Sequence, residues 1–517
     1  MPLLTDKHAR SATKRKKHAP PEPLVRKRRR RRKPPQAPRG LHMSPIKIPP
    51  PAQPPKPPPN PSGDGGPPIY GRDLGNDQLK RLLWRAGFGP RPGDVDALAG
   101  KPLADVVQSL TRPQGAATLT GPEPKDADGN PLAPFDVWGH DHLWWLDRMV
   151  RSDQQLVERM TLIWHDWFAT SNDGVGSARL MIDQNETFRR NALGSFKDLL
   201  IEVTNDPAML VWLNGVENRK GAVNENYARE LMELFTLGAH RGAYTEQDVR
   251  QLALALSGWR ADWVDPTGWT NFRYDDKRHD HSTKTVFGKS GDFDWQAAIQ
   301  LVLENPFHAS FFVTKLWSYF VPTPPDAATQ ASLQKLYLDS GYGIRPVLEA
   351  ILMHPDLHTG AALVKPPVVY AAGLLRSQGR TVATGGWTWL CADAGQQLFF
   401  PPNVAGWDDS AWLDTSTWKG RFQLAVYGLS VYGDWGGTVN PWKSAYSKTE
   451  DAETAVARAL DFTGNPVLTA DTRASLLQFA RTCLPATMAG WEQGPYRAMR
   501  QNALRQLIVT SPDYQTS

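Results

Sequence analysis

Hydrophobic side chains recur with a helical period along most of the chain after residue 73. In "YTEQDVRQLALALSGW" (244–259), apolar residues three and four positions apart predict an amphipathic helix. Thr245 and Asp248 have the spacing of a capping box, and Gly258 ends the pattern. Similar segments follow one another and alternating strand patterns are nearly absent. We therefore predict an all-α fold, a multi-helix globular body over residues 73–517 that forms one body or two lobes.

Two stretches lack a sustained period and are predicted to be long irregular loops. Residues 259–292 are rich in Trp, Asp, Gly and His and have room for a small hairpin. Residues 383–420 contain "GQQLFFPPNVAGW", in which prolines and aromatic residues alternate with small ones. Loops of this length often carry function on a helical scaffold.

Composition separates residues 1–72 from the rest of the chain. Residues 1–70 hold 17 of the 59 Lys and Arg, 3 of the 53 Asp and Glu, and 19 of the 44 Pro. Such a segment buries too little apolar area to offset the entropy of ordering, so we predict a disordered, Pro-rich, basic tail over residues 1–72. Its run "VRKRRRRRK" (25–33) is predicted to contact polyanions, unless it is simply a solvated tail. The remaining body is acidic and is a poor candidate for binding nucleic acid.

Three classes of protein are excluded or disfavoured by simple counts. The two cysteines, Cys391 and Cys483, exclude a disulfide framework and a zinc site made of thiolates. No run of about 18 apolar residues exists, so no membrane span is predicted. The basic N-terminus lacks an apolar core, so we do not expect an ordinary signal peptide, and the default expectation is a cytoplasmic protein.

The segment "NENYARELMELFTLG" (224–238) concentrates charges and amides at the start of a predicted helix. Placed at 100° per residue, Tyr227 falls on the apolar face. Two interpretations stay open, because pairing of charges four residues apart explains the pattern as well as a cleft wall does. On the second interpretation, the catalytic candidates are Glu225, Arg229 and Glu230. The binding candidates are Asn224, Asn226 and Tyr227.

Two further segments carry candidate chemistry. In "RYDDKRHDHSTK" (273–284), His279 and His281 alternate and so project to the same side of an extended chain. With Asp280 they form a candidate site for a divalent metal, although a polar loop with two histidines needs no metal. In "WHDWF" (164–168), His165 is either a packed core residue or a base that pairs with a glutamate of the 224–238 segment.

The segment "GQQLFFPPNVAGW" (395–407), called the aromatic loop below, contributes a last binding candidate, Trp407. Its ring and those of its neighbours form either a stacking platform for a flat ligand such as a sugar, or the anchors of a Pro-stiffened loop.

Several separated motifs occur in an order that resembles the bacterial domain-of-unknown-function 1800 family, over residues 75–515. They are "LLWRAGFGP", "WHDWF", "NALGSFKDLLIEVTNDPAMLVWLNG", "NENYARELMELFTLG", "YTEQDVRQLALALSGWR", "HD…K…FG", "NPFHASFFVTKLW", "GQQLFFPPNVAGW" and "SPDYQ". The resemblance implies a largely helical protein with no activity to carry over. It also implies frequent export, although this chain has a basic tail in place of a signal sequence. Family members are often encoded beside a protein similar to the alkaline-phosphatase/sulfatase superfamily.

Two hypotheses about function follow. In the first, the chain is a binding or accessory protein that acts with a partner enzyme, and its polar cleft lies near residues 224–233. In the second, it is a hydrolase-like enzyme in which His165 or Glu225 is the base and the His279 segment binds a divalent metal or orients the substrate. Both require helix packing to gather the three polar segments into one cleft.

Overall fold

A computed structural model describes residues 66–126, 128–382, 385–430 and 438–517. It is 54% helical, with 23 α-helices and two small two-stranded sheets among the described residues. The mostly helical body is therefore confirmed. The purely α-helical prediction is wrong in one respect, because the segment 259–292 forms two antiparallel hairpins rather than a loop with at most one.

Eleven helices precede the sheets. They are α1 (Asn76–Arg85), α2 (Asp94–Leu98), α3 (Leu103–Thr111), α4 (His140–Arg151), α5 (Gln155–Trp167), α6 (Asn172–Val175), α7 (Ala178–Arg190), α8 (Phe196–Thr204), α9 (Pro207–Trp212), α10 (Asn226–Glu230) and α11 (Glu246–Ala255). The capping box of α11 is confirmed: Thr245 Oγ1 accepts from the Asp248 N–H, and the Asp248 carboxylate accepts from the Thr245 N–H.

The two hairpins follow α11 directly. Their strands are β1 (Trp259–Val264) with β2 (Gly268–Tyr274), and β3 (Lys284–Val286) with β4 (Lys289–Gly291). The second hairpin turns through two residues, Phe287 and Gly288, which both have positive φ angles of 50° and 75°. Two such residues form the turn whose twist matches that of the flanking strands. The hairpin is fixed to α11, because the Gln251 and Asp248 side chains accept from the N–H groups of Thr285 and Phe287.

Twelve helices complete the chain. They are α12 (Trp295–Leu303), α13 (His308–Ser318), α14 (Ala327–Asp339), α15 (Ile344–Met353), α16 (Pro355–Thr359), α17 (Pro367–Ser377), α18 (Gly386–Asp393), α19 (Thr415–Leu429), α20 (Ala452–Phe462), α21 (Ala470–Thr482), α22 (Gln493–Val509) and α23 (Pro512–Gln515). The irregular stretch predicted at 383–420 is thus too long, since α18 lies inside it and α19 begins within it. Asp414 caps α19 by accepting from the N–H groups of Ser416 and Thr417.

The segment 224–238 is helical, but not α-helical throughout. After α10 the chain continues as a π-helix over Leu231–Thr236, which a period of 100° per residue did not predict. The last carbonyls of this helix accept from side chains of other elements. Lys315 Nζ donates to Leu234 O at 2.9 Å, Trp167 Nε1 to Phe235 O at 3.0 Å and Arg241 to Leu237 O at 2.8 Å. Cationic donors at a helix C-terminus also suit the helix dipole.

Two large hydrophobic clusters hold the described body together. The first surrounds Trp164, Trp167 and Phe312, and collects apolar faces from α1, α3, α5, α8 and α11–α15. The second surrounds Trp145 and Trp387, and collects α4, α17–α20 and α22. Helices α5, α7 and α9 contribute side chains to both clusters. Residues on α5 therefore face two different environments.

Of the predicted tail, only residues 66–72 are described. They contain no helix or strand, and the Tyr70 N–H donates to Met353 O at 2.8 Å. The basic run 25–33 lies outside the described residues. Among the helices of the described ranges, none is both long and apolar enough to cross a bilayer.

Candidate functional site

Arg229 is the centre of a network of charged side chains on α10 and α11. Its guanidinium binds Glu246 through two hydrogen bonds of 2.9 and 2.8 Å, and it lies 3.3 Å from both Glu225 and Glu233. The hydrogen bonds to Glu246 raise the pKa of Arg229, and the same bonds lower the pKa of the Glu246 carboxyl. The i,i+4 pairing expected from the sequence is therefore present.

This network lies at the surface. The Arg229 side chain is 32% exposed and that of Glu246 is 63% exposed. Exposed ion pairs are screened by water and contribute little to stability. Glu230 is more enclosed, and burial together with the neighbouring Glu233 carboxylate raises its pKa. The charges of the 224–238 segment thus form mostly a solvated face.

The three binding candidates of the same segment support local structure. Asn224 Oδ1 accepts from the Asn226 N–H at 3.0 Å, which orders the turn before α10. The Asn226 amide donates to Asn214 Oδ1 at 2.9 Å. Tyr227 is buried, and its hydroxyl shares a hydrogen bond of 2.7 Å with Thr204. Burial raises the pKa of Tyr227, so this phenol stays neutral in the core.

His165 lies in an aromatic enclosure. Its ring contacts Trp145, Phe188, Phe399 and Trp407 at centroid distances of 5.3 to 6.1 Å. It has no exposed surface, and both ring nitrogens are buried without a hydrogen-bond partner among the described residues. Burial lowers its pKa to about 3, so the ring is neutral.

The structure does not bring His165 to the glutamates of α10. Its ring neighbours come from α4, α7 and the aromatic loop, and no contact with Glu225 or Glu230 is found among the described residues. Trp407 is 8% exposed and packs its ring against His165 at 5.5 Å. This contact fits a loop that is anchored by its aromatic side chains.

His279 lies beside α11 in a fixed orientation. Its Nδ1 lies 2.9 Å from the Ser257 carbonyl oxygen. Because a carbonyl only accepts, Nδ1 carries the proton, and the lone pair of Nε2 points away from Ser257. Metal-binding histidines commonly donate their other ring N–H to a carbonyl or a carboxylate in this way, which fixes the orientation of the ring. His279 itself is 2% exposed, so its imidazole is well enclosed.

Three further side chains meet His279 across the β3–β4 hairpin. Lys284 Nζ lies 3.4 Å from His279 Nε2 and 2.6 Å from an Asp292 carboxylate oxygen. His281 lies 3.2 Å from the other Asp292 oxygen and 3.4 Å from Asp276. The hydrogen bond from the Lys284 ammonium lowers the pKa of Asp292, and the hydrogen bond that His281 donates to the Asp292 carboxylate raises the pKa of His281.

One donor atom each from His279, His281 and Asp292 lie within 4.8 Å of one another. Two imidazoles and a carboxylate are the donor set that borderline divalent metals such as Zn²⁺ prefer. Asp280, the third predicted ligand, is not in this group. Its carboxylate accepts from Ser282, and its N–H donates to Ser257 Oγ.

Lys284 and Asp292 were not singled out from the sequence. Asp292 directly follows Gly291, which pairs with Lys284 across the hairpin. A strand pair over "KTVFGKSG" would have placed the two residues together, but its Phe-Gly turn lacks the Asn-Gly or Asp-Gly pair that marks such hairpins in a sequence. The missed residues therefore depend on the missed hairpin.

Comparison with known proteins identifies a family but no activity. A family model described as "Protein of unknown function (DUF1800)" matches residues 81–516. No curated protein and no solved structure matches the chain.

Proposed function

This chain belongs to the DUF1800 family, whose description states no function, and from its own geometry we propose that it is a binding protein for a divalent metal ion. The ion is held by His279, His281 and Asp292. The observation that carries the proposal is the convergence of their donor atoms within 4.8 Å. Four-coordinate metal sites with three protein ligands leave one position for water or another ligand.

The orientation of His279 supports this proposal more strongly than proximity alone. A buried imidazole whose Nδ1 is fixed by the Ser257 carbonyl has no freedom to turn its Nε2 elsewhere. His281 and Asp292 are both about half exposed, so an ion has access to the group from solvent. His279 is enclosed, whereas His281 and Asp292 face solvent. This arrangement suits a metal ion that exchanges with solvent in the folded protein rather than one that is bound only during folding.

The Lys284 ammonium competes with the metal for two of the three proposed ligands, Asp292 and His279. It is fully buried, and it contacts both the Asp292 carboxylate and His279 Nε2. In the metal-free protein this ammonium balances the negative charge of Asp292. Binding of a divalent ion therefore requires the Lys284 side chain to move or to lose its proton.

Metal analysis of the purified full chain tests the proposal. After equilibration with Zn²⁺ or Mn²⁺ and gel filtration, the wild type should retain one metal per chain. His279→Ala should retain none, whereas Glu225→Ala, which alters the exposed network of α10, should retain as much as the wild type. Absence of stoichiometric metal in the wild type, or equal retention in His279→Ala, would refute the proposal.

An accessory role beside a partner enzyme stays a prediction. The resemblance implies a partner of the alkaline-phosphatase/sulfatase type, and co-purification of such a protein with the tagged chain from its own cells tests this. A partner that is retained by wild type and lost with His279→Ala would connect the metal group to the interaction.

A further inference from the structure

Four polar residues lie close enough in space for their charges to interact, at a place that is separate from the metal group. Arg159 and Asp166 lie on the same face of α5, two turns apart. Lys315 comes from α13, and Tyr319 follows its C-terminal end. Asp166, Lys315 and Tyr319 are half-buried and keep some surface that a ligand in solution can reach, whereas Arg159 lies deeper. The backbone N–H of Trp407 also points to this place, where it donates to Asp166.

Both oxygens of Asp166 are already used by neutral donors. The Tyr319 hydroxyl donates to Oδ2 at 2.7 Å, and the Trp407 N–H donates to Oδ1 at 2.9 Å. Burial raises the pKa of Asp166 despite these bonds. Asp409, which is exposed, is the other carboxylate close enough to contribute to this shift. Asp166 is therefore a weak counter-charge for the cations around it.

Arg159 carries a positive charge that has no hydrogen-bonded or ion-paired partner among the described residues. It is 3% exposed, its Nε is buried without a partner, and no hydrogen bond or ion pair of its guanidinium is found among the described residues. Burial lowers its pKa to about 10, which leaves it charged at neutral pH. A buried charge without a partner is strongly destabilising.

Lys315 adds a second cation to the same place. Its Nζ donates to Leu234 O, the carbonyl of the π-helix, and lies 4.5 Å from the centre of the Trp167 ring. Burial lowers the pKa of Lys315 to about 8. Neither of these partners is negatively charged. Two cations thus face one carboxylate whose oxygens are engaged elsewhere.

We propose that Arg159, Lys315 and the Tyr319–Asp166 pair bind the oxyanion group of a small ligand, such as a phosphate, a sulfate or a carboxylate. Guanidinium groups bind such anions through two parallel hydrogen bonds, and the ammonium adds charge. The Tyr319 hydroxyl and the Asp166 carboxyl lie beside the anion. Their hydrogen bonds determine which chemical group can be attached to it.

Thermal unfolding of the full chain tests this proposal. Inorganic phosphate, sulfate and acetate are titrated separately, each against chloride at equal ionic strength, because salts also stabilise proteins unspecifically. We expect at least one of them to raise the Tm of the wild type by several degrees. The acetate arm separates a carboxylate site from a site for tetrahedral anions.

Two variants separate binding from structure. Arg159→Met should lose the anion-dependent rise, and in chloride alone its Tm should be equal to or above that of the wild type, because an unpaired buried charge has been removed. A merely structural arginine would instead give a lower Tm. Arg229→Met, which removes an exposed and fully paired arginine, is the matched control and should keep the rise.

The outcomes decide the proposal independently of the metal group. A wild type without any specific rise, or an Arg159→Met variant that keeps it, would overturn the oxyanion site. If Arg159→Met does not fold, Lys315→Met provides the same test: loss of the rise supports the site, and its retention refutes it. His279→Ala should show the wild-type response to anions.

Discussion

The Lys284 ammonium lies 2.6 Å from Asp292 and 3.4 Å from His279 Nε2, which are two of the three residues that we propose as metal ligands. The lysine side chain is fully buried, whereas half of the Asp292 side chain faces solvent. The chain therefore supplies its own monovalent cation to a site that has the donor set for a divalent one. Metal affinity then depends on how easily the lysine is displaced.

Replacing this lysine should strengthen metal binding. In Lys284→Met the carboxylate and the imidazole lose their internal competitor, while the buried side chain keeps a similar volume. We expect Zn²⁺ to bind about tenfold more tightly than to the wild type, which corresponds to roughly 1.4 kcal/mol. Calorimetric titration at pH 7 measures the difference. Unchanged or weaker binding would show that Lys284 is not in competition with the metal.

The buried face of the 224–238 helix and the exposed ion-pair partner of its Arg229 should respond very differently to mutation. Leu231→Ala removes a fully buried side chain from the first hydrophobic cluster and should cost about 2–5 kcal/mol of unfolding free energy. Glu246→Gln removes the exposed partner of Arg229 and should leave the midpoint of urea unfolding almost unchanged. A large loss of stability in Glu246→Gln would mean that the Arg229 network is more than a solvated surface.

Asp206 should make stability depend on pH. It is buried before α9, where Oδ1 accepts from the Met209 N–H and from Gln184, and burial raises its pKa from 3.8 to about 7. Between these values the unfolded chain is ionised while the folded chain keeps the proton, so the wild type loses stability as pH rises. Asp206→Asn removes this titrating group. The free energy of unfolding of the variant minus that of the wild type should therefore increase by about 1.4 kcal/mol per pH unit between the two pKa values.

Urea unfolding of both proteins at several pH values between about 4 and 7, the interval between the unfolded and the folded pKa, measures this difference. Asn keeps the ability to cap α9, so a loss of the cap should not obscure the result. A difference that stays constant over this range would contradict the raised pKa of Asp206.

Gly406 should tolerate no side chain. Its φ angle is +98°, and a Cβ atom there would overlap Asp166 Oδ1 and lie 2.8 Å from the Asp166 carbonyl oxygen. Gly406→Ala should therefore cost more than about 1 kcal/mol and displace the Trp407 N–H from Asp166. Urea unfolding measures the cost, and anion titration measures the effect on the proposed oxyanion site. Wild-type behaviour in both would show that the loop adjusts freely.

Local sequence signals predicted those features that depend on neighbours along the chain. The Thr245–Asp248 capping box and the pairing of Arg229 with Glu225 and Glu233 both involve residues three or four positions apart. The apolar face of the 224–238 segment was also predicted correctly at Tyr227, which is buried. Helical periodicity alone carries this information.

Features that depend on distant parts of the chain were not predictable in this way. In "WHDWF" the sequence drew attention to His165, which is enclosed by aromatic rings, rather than to Asp166 beside it. Asp166 acquires its environment from Tyr319 and Trp407, which lie 153 and 241 positions later in the chain. No periodicity reports such partners. The sequence likewise could not tell how far the charged residues of α10 are exposed, since burial depends on distant parts of the chain.

The π-helical turn at Leu231–Thr236 sets the direction in which the carbonyl of Leu234 points. A π-turn holds roughly one residue more than an α-turn. Deleting a single residue from this turn would restore an ordinary α-helix with about 3.6 residues per turn and would redirect the carbonyls of Leu234 and Phe235. Lys315 and Trp167 would then lose their acceptors together. This one turn thus couples the geometry of α5 and α13 to the segment 224–238.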